Sequence, residues 1–546
     1  MKWPSSRNSI RSPGFVAEAA IIGLAITVLV LSTSLASTMR AGAFNDDGVY
    51  VVMGKALAEG RGYFSIHLAG SPVQAKFPPG YPLVLSLLWR ISGSVDGVHH
   101  LVALIHPAIV GLTAAILWWV GRACLAVPRF LLALLVVTPF LFDAAIQYYT
   151  IPLSEPWFML GWACVLALYA VSKKATGGRQ LVLCAAAGAM VAATVLMRSQ
   201  GMVLVPAMLV GLVAARFPWR ARLIAIGTML GPLAWWSFYR SGLMLRGPHS
   251  GLPDDVAYGT WFGGIDGIAE VLLTSAASNV LSYTNQIGQY FSESRNPGVP
   301  AAALLLLVIT MASIGTLRRA PVLALSSLGG LVIVVIWPFA QDRLLLSVLP
   351  FGGLAAAVWL TPAASRLTER TRRFTAIASG ICIALILWRQ AEIRSESVAA
   401  FSAGRRPPSF SPTYMLLTNS RFIDQASDWI RGNTTPSDRV MIDNHPGVYL
   451  YTGRVTTPAT PAESRLQTSV FTRPAEYLAT RILRDSITWV IVGVPSHGIV
   501  TDINTIIRGC PGVLTKDNPK DAKLIFEVHR NEPCLESLIA RNETTR

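Results

Sequence analysis

The sequence predicts a polytopic α-helical membrane protein of about eleven transmembrane helices, followed by a small C-terminal α/β domain. Three observations predict it. Hydrophobic residues make up 52% of the 546 residues and charged residues only 14%, where a soluble globular chain carries about 25% charged. The apolar residues come in runs close to bilayer-crossing length. Basic residues recur after every second run, the bias carried by cytoplasmic loops. The net charge of +16 therefore reads as loop chemistry rather than as a nucleic-acid surface.

The runs lie at 16–36, 99–120, 130–147, 153–171, 180–197, 201–215, 222–239, 299–316, 321–339, 344–361 and 374–390. The first follows Lys2, Arg7 and Arg11 and exceeds the roughly 7–15-residue core of a signal peptide, so an uncleaved anchor with a cytoplasmic N-terminus is expected. Arg122 and Arg129 follow the second run. Lys173, Lys174 and Arg179 follow the fourth, and Arg216, Arg220 and Arg222 flank the exit of the sixth. Arg318 and Arg319 follow the eighth, and Arg366, Arg370, Arg372 and Arg373 the tenth. Alternation then leaves the C-terminus outside, in the periplasm of a bacterial inner membrane. Tyr81–Ile91 is a shorter apolar run, and counting it as a span would put Arg122 and Arg129 outside. It is expected as an interfacial or re-entrant helix on the outer face.

The outer side then holds loops 37–98 and 240–298, the Ala144–Pro152 turn, the 198–200 junction, Gln341-Asp342-Arg343 and everything beyond 391. Residues 391–417 read as a linker and 418–546 as the α/β domain. That domain is expected to have helices at Phe422–Arg431 and Ala475–Arg484 and strands at Arg439–Ile442, Trp489–Val494 and Leu524–Val528. Cys124, Cys164, Cys184 and Cys382 fall in apolar runs as packing residues. Cys510 and Cys534 lie in the tail, where a periplasmic location would allow a disulfide. No Cys/His spacing marks a metal site. His67, His99 and His100 read as surface residues, and Trp118-Trp119 and Trp235-Trp236 as interfacial belts.

The first outer loop concentrates the polar chemistry. It contains Phe44-Asn45-Asp46-Asp47-Gly48-Val49-Tyr50, then Gly60-Arg61-Gly62-Tyr63, then Lys76-Phe77-Pro78-Pro79-Gly80-Tyr81-Pro82. Taken alone, Asp47 fits best as an N-cap of a helix from 48 to 59, while a carboxylate at a membrane edge also fits a general base. Lys76 fits a snorkelling lysine or a phosphate ligand. Glu155 at a helix start fits a dipole partner or an ion-pair partner, and Tyr81 an aromatic-belt residue or a site residue.

Taken as a set, these segments resemble the GT-C glycosyltransferases, in the protein O-mannosyltransferase-like and aminoarabinose-transferase-like branch. The carriers are the acidic pair after the first helix, Tyr50, Gly60-Arg61-Gly62-Tyr63 and the Lys76–Pro82 segment. Leu153-Ser154-Glu155-Pro156, Met197-Arg198-Ser199-Gln200-Gly201 and Gln341-Asp342-Arg343 resemble later elements of that branch. Leu344 stands where the pattern has Tyr, and Val49 where some relatives have Arg. The resemblance implies inverting transfer of a sugar from a polyprenyl-phosphate donor to an acceptor hydroxyl at the outer face, with Asp46 as base and Asp47 beside it. It places Lys76, Arg343 and Arg198 on the donor phosphate, and Tyr50, Tyr81 and Glu155 in support. The acceptor is a lipid, glycan or protein. A charged leaving phosphate requires no metal, so no cofactor is expected. The alternative is a transporter or flippase of a lipid-linked saccharide, which more often has polar, broken mid-membrane helices and an internal repeat.

Overall fold

The computed structural model describes residues 13–74, 76–246, 276, 278–285, 295–337, 340–407, 411–459, 474–492, 497–517, 524–529 and 533–540. Lys2, Arg7, Arg11 and the Pro253-Asp254-Asp255 part of the long outer loop lie outside the described residues. The helices of the N-terminal part are α1 (Pro13–Leu35), α2 (Asp46–Ala58), α3 (Gly80–Ser92), α4 (Val95–Trp119), α5 (Arg129–Leu132), α6 (Asp143–Thr150) and α7 (Glu155–Ser172). They continue as α8 (Gly177–Met197), α9 (Leu204–Ala214), α10 (Trp219–Arg246), α11 (Arg295–Thr316), α12 (Pro321–Ile336), α13 (Asp342–Ser365) and α14 (Glu369–Ser402). Among the described residues the apolar runs are mostly helical. Among the described residues, 6 helices are long and apolar enough to cross a membrane, or 7 if the bent pair 129–141 and 143–150 is one span. Ser199–Ala214, Ala303–Thr316 and Pro321–Ile336 are apolar but shorter. Ile21, Leu24 and Val28 of α1 and Ile377, Ile381, Leu385 and Trp388 of α14 are exposed. An apolar surface of that extent belongs against lipid. The chain is a multi-pass membrane protein.

α1 and α4 form an antiparallel pair. Small residues let the backbones meet: a Cβ added to Gly111 would sit 2.4 Å from the Gly23 carbonyl oxygen. At one end of the pair Glu18 meets Arg122 at 3.3 Å and also pairs with Arg129. At the other, Arg40 meets Asp96 at 3.3 Å. The segment between them, which contains α2 and α3, leaves and returns at a single end. The 13-residue α3 packs on α2 and does not cross.

Two membrane segments depart from the sequence expectation. The run at 130–147 is not one helix: a π-turn at Ala133–Val137, a 3₁₀ turn at Thr138–Leu141 and extended Phe142 break it, and its halves meet at 55°. Pro139 has no N–H for the helical ladder, and Asp143 fixes the break. Its backbone N–H donates to Gln390 Oε1 (2.9 Å), and its carboxylate accepts from Gln147 Nε2 (3.0 Å) and Thr413 Oγ1 (2.8 Å). The second departure is α14, which runs on to Ser402 where a linker from 391 was expected. Its last turns are polar with exposed positions and an Arg389–Glu392 pair at 2.8 Å, but Gln390, Ile393, Ser397 and Ala400 are buried along one side, so the extension is packed as well as paired.

The C-terminal part is an α/β unit. It contains α15 (Pro412–Asn433), β1 (Arg439–Ile442), α16 (His445–Thr452), β2 (Val455–Thr457), α17 (Pro474–Arg484), β3 (Trp489–Val492), α18 (His497–Gly509), β4 (Leu514–Lys516), β5 (Leu524–Val528) and α19 (Pro533–Ala540). The strand order is β2-β1-β3-β5-β4, with β1 parallel to β2 and β3, and β5 antiparallel to β3 and β4. The short strands β2 and β4 carry too few residues for a period-two signal in the sequence. Cys510 and Cys534 pack into the same small apolar core.

This unit docks on the first loop. Arg40 Nε meets Asp424 at 2.8 Å, and Asn419 Nδ2 donates to the Ala43 carbonyl at 2.7 Å. Thr456 N donates to the His67 carbonyl at 2.9 Å. His67 is thus an interface residue and not a surface one. It is 1% exposed, stacks on His445 with ring centroids 5.1 Å apart, and is pushed by burial down to about 3, which keeps it neutral. His99 is half-buried and His100 exposed. The tryptophan pairs divide as well. Trp118 is buried and donates to Glu18 (3.3 Å), while Trp236 is buried edge-on to Tyr63. Trp235 is exposed and stacks on Tyr239.

Candidate active site

Four chain segments converge where the first loop meets the bundle. α2 begins at Asp46, behind Asn45 in a left-handed conformation (φ 77°). α7 begins at Glu155 after Ser154. α8 ends at Met197, and Arg198 turns out of it in an extended conformation. α13 begins at Asp342-Arg343. Helix ends leave backbone groups and first-turn side chains pointing along the axis, so four ends at one place concentrate polar atoms there.

Arg343 is the hub. It is 3% exposed. Its Nη2 pairs with Asp46 Oδ2, and its Nη1 lies 3.2 Å from Glu155 Oε1. Its Nε donates to Gln341 Oε1 at 3.1 Å, and its guanidinium carbon lies 4.5 Å from the centre of the Phe44 ring. Glu155, 1% exposed, touches a second arginine, with Oε1 3.0 Å from Arg198 Nη1. Arg198 Nη1 also donates to Ser154 Oγ at 2.9 Å, and its Nε donates to Gln200 Oε1 at 3.2 Å. One carboxylate thus spaces two guanidinium groups, each with a second anchor that fixes its plane.

Asp46 is the accessible member, with 18% of its side chain exposed. Burial alone would raise its carboxyl. The charges of Arg343, Lys76 and Arg198 outweigh that and hold it below the usual carboxylate range, so it is ionised. Lys76 is half-buried, its ammonium 5.3 Å from the Phe77 ring centre, and its charge acts on Asp46.

Asp47 points elsewhere. Its Oδ2 accepts from Gly42 N (2.7 Å) and its Oδ1 from Phe44 N (3.0 Å). The residue does not cap α2, which starts one position earlier; it ties down the preceding loop. Burial pushes its carboxyl up to about 7, against the pull of those backbone N–H groups.

The tyrosines form the wall behind the ions. Tyr50 OH lies 3.1 Å from Ser154 Oγ, and the Tyr50 ring packs on Phe77 and edge-on to Tyr81 at centroid distances of 4.8 and 5.1 Å. Tyr81 is fully buried rather than a belt residue. His106 Nδ1 lies 3.1 Å from the Tyr149 carbonyl and must donate there, so its Nε2 accepts from Tyr81 OH at 3.3 Å.

The structure thus brings Asp46, Lys76, Glu155, Arg198, Arg343 and Tyr50 together, places Tyr81 behind them and turns Asp47 away. Ser154, Gln200, Gln341 and Asp342 lay within the motif segments but were given no role of their own. Sequence reading missed Tyr148, which donates to Asp342 Oδ1 at 2.7 Å, and His106, whose signal is a buried imidazole inside an apolar run. Among the described residues no group of three or more His, Cys, Asp or Glu side chains converges as a metal site.

These features define a multi-pass membrane protein with a buried charge relay at one end of its helices, under an α/β unit. The chain has the GT-C glycosyltransferase fold. Its structure is similar to that of ArnT from Cupriavidus metallidurans, which was solved bound to undecaprenyl phosphate, with a TM-score of 0.57 over 93% of this chain and 97% of that one at 14% identity. The Archaeoglobus fulgidus oligosaccharyltransferase in its apo form aligns with a TM-score of 0.45 over 90% of this chain and 70% of that one at 13% identity. No family model matches the sequence, and no curated protein matches it.

Proposed function

We propose that this protein is an inverting glycosyltransferase at the periplasmic face of a bacterial inner membrane. It would move a sugar from a polyprenyl-phosphate donor to an acceptor hydroxyl on a lipid, glycan or protein. The observation that carries the reading is the Asp46–Arg343–Glu155–Arg198 chain, which sets one ionised, accessible carboxylate beside fixed cations. The acceptor oxygen attacks the anomeric carbon. The bond from that carbon to the phosphate oxygen breaks, and its electron pair leaves with the lipid phosphate. Asp46 takes the hydroxyl proton. Arg343, Arg198 and Lys76 meet the charge growing on the phosphate, where preorganised cations act most strongly.

Arg343 holds Asp46 in an ion pair. A donor phosphate competes for that guanidinium, and as it succeeds Asp46 loses its strongest counter-charge and its proton affinity rises. Donor binding thereby activates the base. Three cations can carry the phosphate charge, so the reaction is proposed to need no divalent ion. Undecaprenyl phosphate, the molecule bound to ArnT, is the kind of leaving group this reaction would release.

The test is transfer from polyprenyl-phosphate sugars in proteoliposomes, with and without chelator, comparing the wild type with Asp46→Asn. Loss of transfer by a folded variant, with chelator inert in the wild type, is the expected result. Unchanged transfer by Asp46→Asn removes the base assignment.

A further inference from the structure

At the end of the bundle opposite Asp46 the helices leave a cavity of about 310 Å³. That is the lower end of the range of ligand pockets, about 300–1,000 Å³. It lies where the π-turn extending α4 (Val120–Cys124), the C-terminal turn of α7 and the start of α12 come together. Its walls are apolar, formed by residues such as Tyr169, Ala170 and Leu323, and its rim carries Lys173, Lys174 and Arg319. The three cations are exposed, and no Asp or Glu is among the residues that line the cavity.

We propose that this cavity binds an anionic phospholipid, with the headgroup phosphate on Lys173, Lys174 and Arg319 and part of one acyl chain in the apolar slot. Three point charges of one sign at the mouth of an apolar slot match an amphiphile with a negative head. A neutral lipid lacks the charge that complements this basic rim, and a free anion would leave the slot unfilled. The cavity opens among helix ends of a membrane protein, so such a lipid reaches it from the adjacent leaflet. It is separate from the charge relay around Arg343, and the binding does not depend on the proposed transfer reaction.

The test uses the purified full-length protein in nanodiscs of phosphatidylcholine containing phosphatidylglycerol, with lipid retained after detergent extraction measured by native mass spectrometry. Wild type is expected to keep phosphatidylglycerol in preference to phosphatidylcholine. Lys173→Gln, Lys174→Gln and Arg319→Gln are each expected to weaken retention roughly fivefold, as one juxtamembrane charge does. Ala170→Trp leaves all three charges and fills the slot, so it separates a site from diffuse surface attraction. Arg370→Gln with Arg372→Gln removes basic charge elsewhere and is expected to leave retention unchanged. Equal retention by the charge variants overturns the proposal. So does an equal loss on Arg370→Gln with Arg372→Gln, or displacement of the lipid by millimolar inorganic phosphate, which would mark a free-anion site. The charge variants are at exposed positions and keep the test decisive even where Ala170→Trp does not fold.

Discussion

Asp46 and Arg343, 297 positions apart in the chain, meet in one ion pair, and the same guanidinium reaches Glu155 with its other terminal nitrogen. The candidate base and the candidate phosphate ligand are therefore a single coupled unit. Lysine keeps the charge but has no planar fork with which to hold two carboxylates at once. Arg343→Lys is expected to lower kcat about a hundredfold, the scale of losing one preorganised charge stabiliser. Transfer assays on Arg343→Lys, Asp46→Asn and the double variant check this. Losses that multiply instead of overlapping would show that the two residues act independently.

Glu155 acts through the arginines it spaces. Replacing it by Gln leaves Arg198 and Arg343 facing one another across a buried site. Removing one partner of such a network costs about 3–5 kcal/mol. Glu155→Gln should lower the thermal midpoint clearly and raise the donor KM more than it lowers kcat. A variant with normal stability and donor KM but depressed kcat would assign Glu155 to the chemistry itself.

The two neighbouring aspartates make opposite pH predictions. Asp46 is held below the ordinary carboxylate range, so its base form persists as pH falls. The limb it gives to kcat/KM of the free enzyme lies below pH ~4. Asp47 is raised to about 7. Between pH ~4 and that value the folded protein keeps a proton that the unfolded chain has released, so stability falls as pH rises through this window. Thermal midpoints measured across it should decline in the wild type and less so in Asp47→Asn. A decline of the same size in Asp47→Asn would place the titrating group elsewhere.

Much of the bundle was legible because lipid demands long apolar helices with polar residues kept to their ends. Asp46, Lys76 and Tyr50 were singled out through the first-loop motif and its resemblance, not through hydrophobic patterning. The break at Phe142 was not legible, since Ala133–Leu141 is as apolar as an unbroken span and only Pro139 and Asp143 hint at it. The role of Asp47 was hidden as well. A second acidic residue reads the same whether it faces a ligand or two backbone N–H groups, and only the left-handed turn at Asn45 decides it. Docking of the α/β unit depends on contacts such as His67 on His445, which no local pattern encodes.

The ion pairs at the two ends of α1 and α4 predict sidedness. In a background with all six native cysteines replaced by Ser, single cysteines at Arg61 and Gly432 should react with an impermeant maleimide from the same side of the membrane. One at Gly178 should react only from the other. All three positions are exposed. Labelling of 61 and 432 from opposite sides would overturn the shared end of the first loop and the α/β unit.

Gly42 joins the site to that unit. Its N–H donates to Asp47, its φ is +93°, and a Cβ on it would lie 2.3 Å from Gly447 Cα at the first turn of α16. Alanine meets two obstacles there: the left-handed backbone, which a side chain disfavours, and contact with a backbone that cannot rotate away. Relief requires the α/β unit to lift from the first loop, which loosens the turn that Asp47 ties and the start of α2 that presents Asp46. Gly42→Ala is expected to reduce transfer at least tenfold and to speed protease cleavage between α14 and α15. Gly60 supplies the control: its φ is +72°, but a Cβ on it meets nothing within 4 Å. Gly60→Ala carries the backbone strain without the collision and should leave both readouts close to wild type. If the two variants behave alike, strain in the loop accounts for the effect and contact with Gly447 does not.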